Sequence, residues 1–135
     1  AGTLMVVVDA STALELLLNT PLAKRIAERL FSPGESLHAP HLLDIEVAQV
    51  IRRYCRTGEV SSERGREAIE DLADLPLSRY PHDLLLPRIW ELRHDLTAYD
   101  ASYVALAELL DARLVTLDRR LAASTGHDAD IELIE

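Results

Sequence analysis

Several residue types occur only once in this sequence: one cysteine, one methionine, one tryptophan, one phenylalanine and one lysine, Lys24. The lone Cys55 excludes an internal disulfide and any zinc site built on cysteines. No apolar run approaches the roughly 20 residues that a membrane-spanning helix needs. A secretory signal pattern is also missing, because a short apolar strand stands where a charged segment and a long apolar one would be required. The cytoplasm is the expected location, with no membrane partner. Met5 is the expected native start, with Ala1–Leu4 an added remnant. No internal repeat, linker or low-complexity tract interrupts the chain, so residues 1–135 are expected to form one domain. No Gly-rich phosphate loop or zinc motif is present, and no Ser, Cys or His stands beside a partner that could activate it as a nucleophile.

Positive charge is scarce as well. The formal net charge is −9, which argues against a general nucleic-acid binder, since phosphate neutralisation needs clustered cations. Two facts soften that exclusion. The basic residues are nearly all arginine, which suits bidentate phosphate contacts. A cation held by carboxylates also brings positive charge that a formal count omits.

What is present is a chain of 135 residues, 48% hydrophobic, enough for a sizeable core. Leu4–Val8 reads as a buried strand. Helical spacing follows over Thr12–Asn19 and Leu22–Phe31, then a turn at Ser32-Pro33-Gly34 and a short strand over Ser36–Ala39. Leu42–Arg56 is the clearest helix, stopped by Gly58, and a further helix runs from Ser61/Ser62 to Asp74. Leu77–Tyr80 is a third strand, Leu84–His94 a helix with Pro87 in its first turn, and Thr97–Leu110 another helix. Arg113–Leu117 is a fourth strand, Arg119–Ala123 a helical turn and Ile131–Ile134 a last strand. Alternating strands and helices predict an α/β fold with a parallel sheet of about five strands flanked by helices. Ligands in such sheets bind beyond the carboxyl ends of the strands, which is where Asp9 and Asp118 fall.

Four acids draw attention, and each has a structural alternative. Asp9, with Ser11 close by, and Asp118 can each cap the helix that follows. Asp100 fits a capping box with Thr97. Glu46 is harder to explain that way. It lies near the packed face of its helix, no Lys or Arg stands one turn away, and Arg53 is two turns on. A carboxylate so placed needs a partner or a cation. As a set, the acids suit a hard divalent ion, Mg²⁺ or Mn²⁺, and hydrolysis of a phosphodiester by activated water. The histidines His38, His41, His82, His94 and His127 show no helical pairing, and His38 and His41 read as surface or packing residues. Arg53 and Arg119 are the best-placed arginines for phosphate, yet each is better explained as an ordinary solvated side chain and is left out of the expected site.

"VVVDAS", "HLLDIEVAQVIRR", "LTAYDASYVALAELLDARLVTLDRRL" and "IELI" together resemble the PIN-domain ribonucleases, and more narrowly the VapC toxins of bacterial toxin–antitoxin pairs. The resemblance implies a three-layer PIN-like fold, Mg²⁺- or Mn²⁺-dependent cleavage of RNA, and inhibition by a cognate VapB-type antitoxin. By the matching motifs it implies Asp9, Glu46, Asp100 and Asp118 as catalytic metal ligands, supported by Ser11 and Thr116. It also implies a homodimer, with docking surfaces expected over Thr12–Phe31 and Leu42–Arg56. Two other readings stand beside it. A receiver-type signalling domain also gathers strand-end acids and a metal, but it needs a lysine beyond a late strand, and Lys24 is early. A PIN-like scaffold without catalysis is the third.

Overall fold

The computed structural model describes residues 4–135; the expectation that Ala1–Leu4 are an added remnant falls outside them, except for Leu4. Five strands form one parallel sheet: β1 (Leu4–Val8), β2 (Glu35–Pro40), β3 (Leu77–Tyr80), β4 (Arg113–Thr116) and β5 (Ile131–Leu133), in the order β3-β2-β1-β4-β5. The helices are α1 (Ala10–Leu17), α2 (Ala23–Leu30), α3 (Leu42–Thr57), α4 (Ser62–Asp74), α5 (Leu86–Glu91), α6 (Ala98–Leu110) and α7 (Arg119–Ala122). The parallel α/β architecture is the one the sequence pattern predicts. Val6, Val7 and Val8 of β1 and Leu114 and Val115 of β4 are buried, as central strands covered on both faces require.

α6 packs on β1, β2 and β4 and carries α5 against it; α1 packs with α2, α3 and α4. α6 is buried continuously from Ala101 to Ala107. Its small residues let it sit close to the sheet, which the polar sequence of a surface helix would not allow. The chain builds β1, β2 and β3 outward in one direction, then returns to place β4 on the other side of β1. The strand order therefore reverses between β1 and β4, the place where open parallel sheets bind ligands.

Boundaries differ most at two helices. α1 begins at Ala10 rather than Thr12, because the Asp9 carboxylate accepts from the Thr12 backbone N–H and caps the helix two residues earlier. α5 is confined to Leu86–Glu91 rather than Leu84–His94, flanked by turns that bury Leu85 and Leu92. The apolar residues of Thr12–Phe31 and Leu42–Arg56 mostly face the core; of the large ones only Phe31 and Ile45 are exposed. The denser exposed apolar group lies elsewhere, at Leu84, Leu86, Trp90 and Tyr99.

Candidate functional site at the β1–β4 edge

Asp9 follows directly on β1 and is buried. Its Oδ1 accepts from Ser11 Oγ at 2.7 Å and from the N–H and Oγ1 of Thr12, each at 3.0 Å. Its Oδ2 accepts from Thr116 Oγ1 at the end of β4. The Thr116 hydroxyl in turn accepts from the Asp118 N–H at 3.0 Å, and Ser11 Oγ accepts from the Leu117 N–H at 3.2 Å. Two hydroxyls thus bolt the β1 and β4 ends together. Burial pushes the Asp9 carboxyl above its ordinary range, and the four hydrogen bonds only partly oppose this.

Asp118 caps α7: its Oδ1 accepts from the N–H groups of Arg120 and Leu121, at 2.9 and 3.3 Å. Thr97 caps α6 by accepting from the Asp100 N–H at 3.1 Å. The capping explanations for Asp9 and Asp118 are therefore real, and they are compatible with a second role. The Asp118 cap uses Oδ1 alone and leaves Oδ2 free, whereas Asp9 has three donors on Oδ1 and keeps on Oδ2 the lone pair that Thr116 does not take. The Asp100 carboxylate has no hydrogen-bond partner among the described residues, and it lines a cleft of about 270 Å³ with Thr97, Arg120, Ser124 and Thr125.

Glu46, half-buried on α3, finds neither Lys nor Arg. Its Oε1 accepts from the hydroxyl of the buried Tyr103 on α6. Burial raises its carboxyl, and so do the negative charges of Asp100 and Asp9. Asp100 is raised by burial and then by Asp118 and Asp9, while Arg120 pulls it down. Tyr103 is pushed far upward by burial and by its bond to Glu46, so it stays a neutral donor. The four acids come from four segments, and their charges act on one another. Among the described residues none of them has an ion pair with a cationic side chain. Nor is any group of three or more His, Cys, Asp or Glu gathered tightly enough to hold a metal ion as it stands. The donor chemistry does fit a hard divalent ion, because every available ligand atom is oxygen.

Sequence reasoning missed Tyr103, Thr12 and Arg120. Tyr103 stands three residues after Asp100 on one helix and Thr12 three after Asp9, so helical spacing alone could have singled both out. Arg119 is paired with Glu135 at 2.9 Å, whereas Arg120 faces the acids. One sequence statement needs correction. Ser36 Oγ lies 2.7 Å from His38 Nε2, with Tyr80 OH 2.6 Å from Nδ1, so a Ser–His pair does exist. It is not at the acidic edge: Ser36 is in register with Met5 and His38 with Val7, below the strand ends. His38 is buried, and its place is in the core. His82 Nε2 accepts from the Leu42 N–H at 2.9 Å, a packing role at the start of α3. Lys24 sits on α2, where it cannot serve the receiver-type reading.

A parallel α/β sheet with coupled carboxylates at its switch point is one class of acid-edged domain. This chain belongs to the PIN domain family, which matches residues 6–125. It is 47% identical over 118 residues to Ribonuclease VapC9 of Mycobacterium tuberculosis, covering 87% of this chain and 89% of that one. It is 42% identical over 130 residues to Ribonuclease VapC12 of the same organism, covering 96% and 99%. Among solved structures, PAE2754 from Pyrobaculum aerophilum is similar at 30% identity and TM-score 0.67, over 95% of this chain and 83% of that chain. VapBC2 from Rickettsia felis, bound to a DNA fragment from their promoter, shares the fold at TM-score 0.72 and 10% identity, over 98% of this chain and 100% of that one. VapC ribonucleases of this family depend on a divalent metal. No helix among the described residues is long and apolar enough to cross a membrane.

Proposed function

We propose that this chain is the toxin of a toxin–antitoxin pair: a metal-dependent endoribonuclease that uses Mg²⁺ or Mn²⁺ and is held by a VapB-type antitoxin. The observation that carries this reading is the charge imbalance at the β1–β4 edge. Asp9, Glu46 and Asp100 are each raised by burial, Glu46 and Asp100 also by neighbouring acids, and no cationic side chain pairs with them. That arrangement lowers stability at neutral pH, and a bound cation would restore it. Asp9, Glu46, Asp100 and Asp118 would hold the ion. When bound, it would lower the pKa of an attacking water and neutralise charge developing on the phosphate.

The rest is the work of this chain's side chains. Ser11 and Thr116 fix the Asp9 carboxylate, and Thr116 ties its orientation to the Asp118 backbone. Tyr103 holds one oxygen of Glu46 and leaves the other free. Arg120 offers a guanidinium on the rim of the Asp100 cleft, where a phosphate oxygen can meet it. Among the described residues the hydroxyls at this edge, those of Ser11, Thr12 and Thr116, all donate to Asp9 and none is paired with a histidine or lysine base, so the reaction proceeds by direct attack of water with no covalent enzyme intermediate. The exposed Leu84, Leu86 and Trp90 are the surface for a homodimer, and the antitoxin lies near the acids with a basic side chain among them. The test is incubation of the purified chain with total cellular RNA and Mg²⁺ or Mn²⁺, followed by mapping of new ends. Discrete new ends that vanish with EDTA are the expected result; cleavage indifferent to EDTA, or none, overturns the reading.

A further inference from the structure

Among the described residues eight cationic side chains have no ion pair, Lys24, Arg25, Arg52, Arg53, Arg56, Arg66, Arg93 and Arg120, and three of them line one groove on α3. Arg29, Arg79, Arg88, Arg113 and Arg119 are each held by a carboxylate. Arg52, Arg53 and Arg56, on the C-terminal half of α3, have no ion pair among the described residues, and all are exposed. With Gln49 and Thr57 they line a groove of about 310 Å³. The lining side chains carry guanidinium, amide and hydroxyl groups on aliphatic stems that form much of its wall. Among the described residues the one acid hydrogen-bonded to these side chains is Glu59, which accepts from Thr57 Oγ1 at 2.8 Å.

Helix stability does not account for this cluster. Arg52 and Arg56 are four residues apart and Arg53 and Arg56 three, spacings at which like charges repel. The helix dipole favours Arg56 in the last turn, but Arg52 and Arg53 lie about a turn earlier. Arg53 rests over the Tyr54 ring at 5.6 Å, which leaves its charge outward and unneutralised. Position adds a second argument. Arg53 follows Glu46 by seven residues, close to two full turns, so both lie on one face of α3 and are separated by about 10 Å along its axis. An extended polyanion whose reacting phosphate sits at Glu46 meets Arg53 next along that face.

We propose that this α3 groove is a phosphate track for single-stranded RNA, holding nucleotides that flank the reacting one. The proposal rests on the ribonuclease reading above and adds a substrate-binding surface to it. The three guanidiniums contact backbone phosphates, so the track adds affinity without reading base sequence. It binds ground state and transition state alike, which lowers KM and leaves kcat unchanged.

The test uses the full chain, wild type and R52Q/R53Q/R56Q, with Mg²⁺, on a long single-stranded RNA and on a trinucleotide too short to reach the groove. The expected result is a KM raised about tenfold or more on the long RNA, with kcat unchanged and the trinucleotide unaffected. The dependence of log affinity on log salt should become shallower by about 2, from about 0.7 per lost phosphate contact on a single strand. If the triple variant loses its helical circular dichroism, Arg53→Gln alone should still flatten the slope by about 0.7. Unchanged KM and slope on a wild-type protein that cleaves RNA overturn the track alone. An equal KM rise on the trinucleotide overturns it too, as damage to the acidic edge. Unaltered RNA binding with lost antitoxin binding overturns it in favour of an acidic protein partner. A wild type that neither binds nor cleaves RNA overturns the ribonuclease reading itself.

Discussion

At the scale of single residues, Asp100 is the cleanest probe of the acidic edge. Asp9→Asn would put an amide N–H against the Thr116 hydroxyl that now donates to it, and would confuse loss of charge with loss of a hydrogen bond. The Asp100 carboxylate has no such partner among the described residues. Its pKa is raised in the fold, so the folded chain binds more protons than the unfolded one between the ordinary and the raised value. Stability therefore falls as pH rises through that window and stays lowered above it. The metal-free protein should show this decline from about pH 4 upward, and Asp100→Asn should flatten it and raise Tm at neutral pH. Glu108 and Glu132 are lowered by Arg88 and Arg29 and act in the opposite sense, so the comparison of variant with wild type is the decisive one. RNA cleavage should drop more than about 100-fold, the upper end for loss of a mere supporting partner. A Tm at neutral pH no higher than wild type, or wild-type cleavage, would sink the assignment. The acids themselves were legible, because a charge at the end of an apolar strand or near a packed helix face stands out in sequence. Their partners were not: Tyr103 reads as an ordinary core aromatic until α6 and α3 are brought together.

At the scale of elements, the sequence carried the number and type of helices and strands, because period and turn residues are local. Strand order is not local, and nothing in "RLVTL" says that β4 lies beside β1. The end of α1 nearest the site also escaped, since Asp9 and Ser11 both qualify as caps and only the structure shows that Asp9 takes the Thr12 N–H while Ser11 turns to Asp9 and Leu117. Close packing of α3 on α4 offers a test of a contact no pattern reveals. A Cβ at Gly65 would lie 2.7 Å from Cys55 Sγ and 3.3 Å from Ile51 Cγ2. Gly→Ala within a helix gains about 1 kcal/mol from propensity, while overpacking costs about 1–3 kcal/mol. Gly65→Ala should therefore destabilise by about 1 kcal/mol in urea unfolding, on balance of those two effects. Cys55→Ala in the same chain removes the sulfur and should recover most of the loss. If Gly65→Ala alone proved more stable than wild type, the close approach of the two helices would be wrong.

At the scale of the whole molecule, charge and apolar surface are segregated. Asp9, Glu46, Asp100 and Asp118 act on one another near the β1–β4 edge, and Arg52, Arg53 and Arg56 line a groove on α3. Leu84, Leu86, Trp90 and Tyr99 are 62%, 56%, 67% and 62% exposed, with Leu86 and Trp90 four residues apart on one face of α5. Such a concentration on and beside a short helix is costly to leave in water and marks an interaction surface. The sequence pointed instead to Thr12–Phe31 and Leu42–Arg56, because apolar content does not say which side of a helix the core will take. Burying a large apolar side chain at an interface contributes about 1.5–3 kcal/mol. Two such residues, counted on both copies, are enough to decide whether a dimer forms. Leu86→Glu with Trp90→Glu should therefore turn a dimer into a monomer, read by light scattering across a range of concentrations. Folding should survive, since neither side chain belongs to the core. Trp90 supports Arg93 by a cation–π contact at 4.5 Å, and losing it costs about 0.5–1 kcal/mol at an exposed site, too little to unfold the domain. The same mass for wild type and variant at every concentration would place the self-association surface elsewhere.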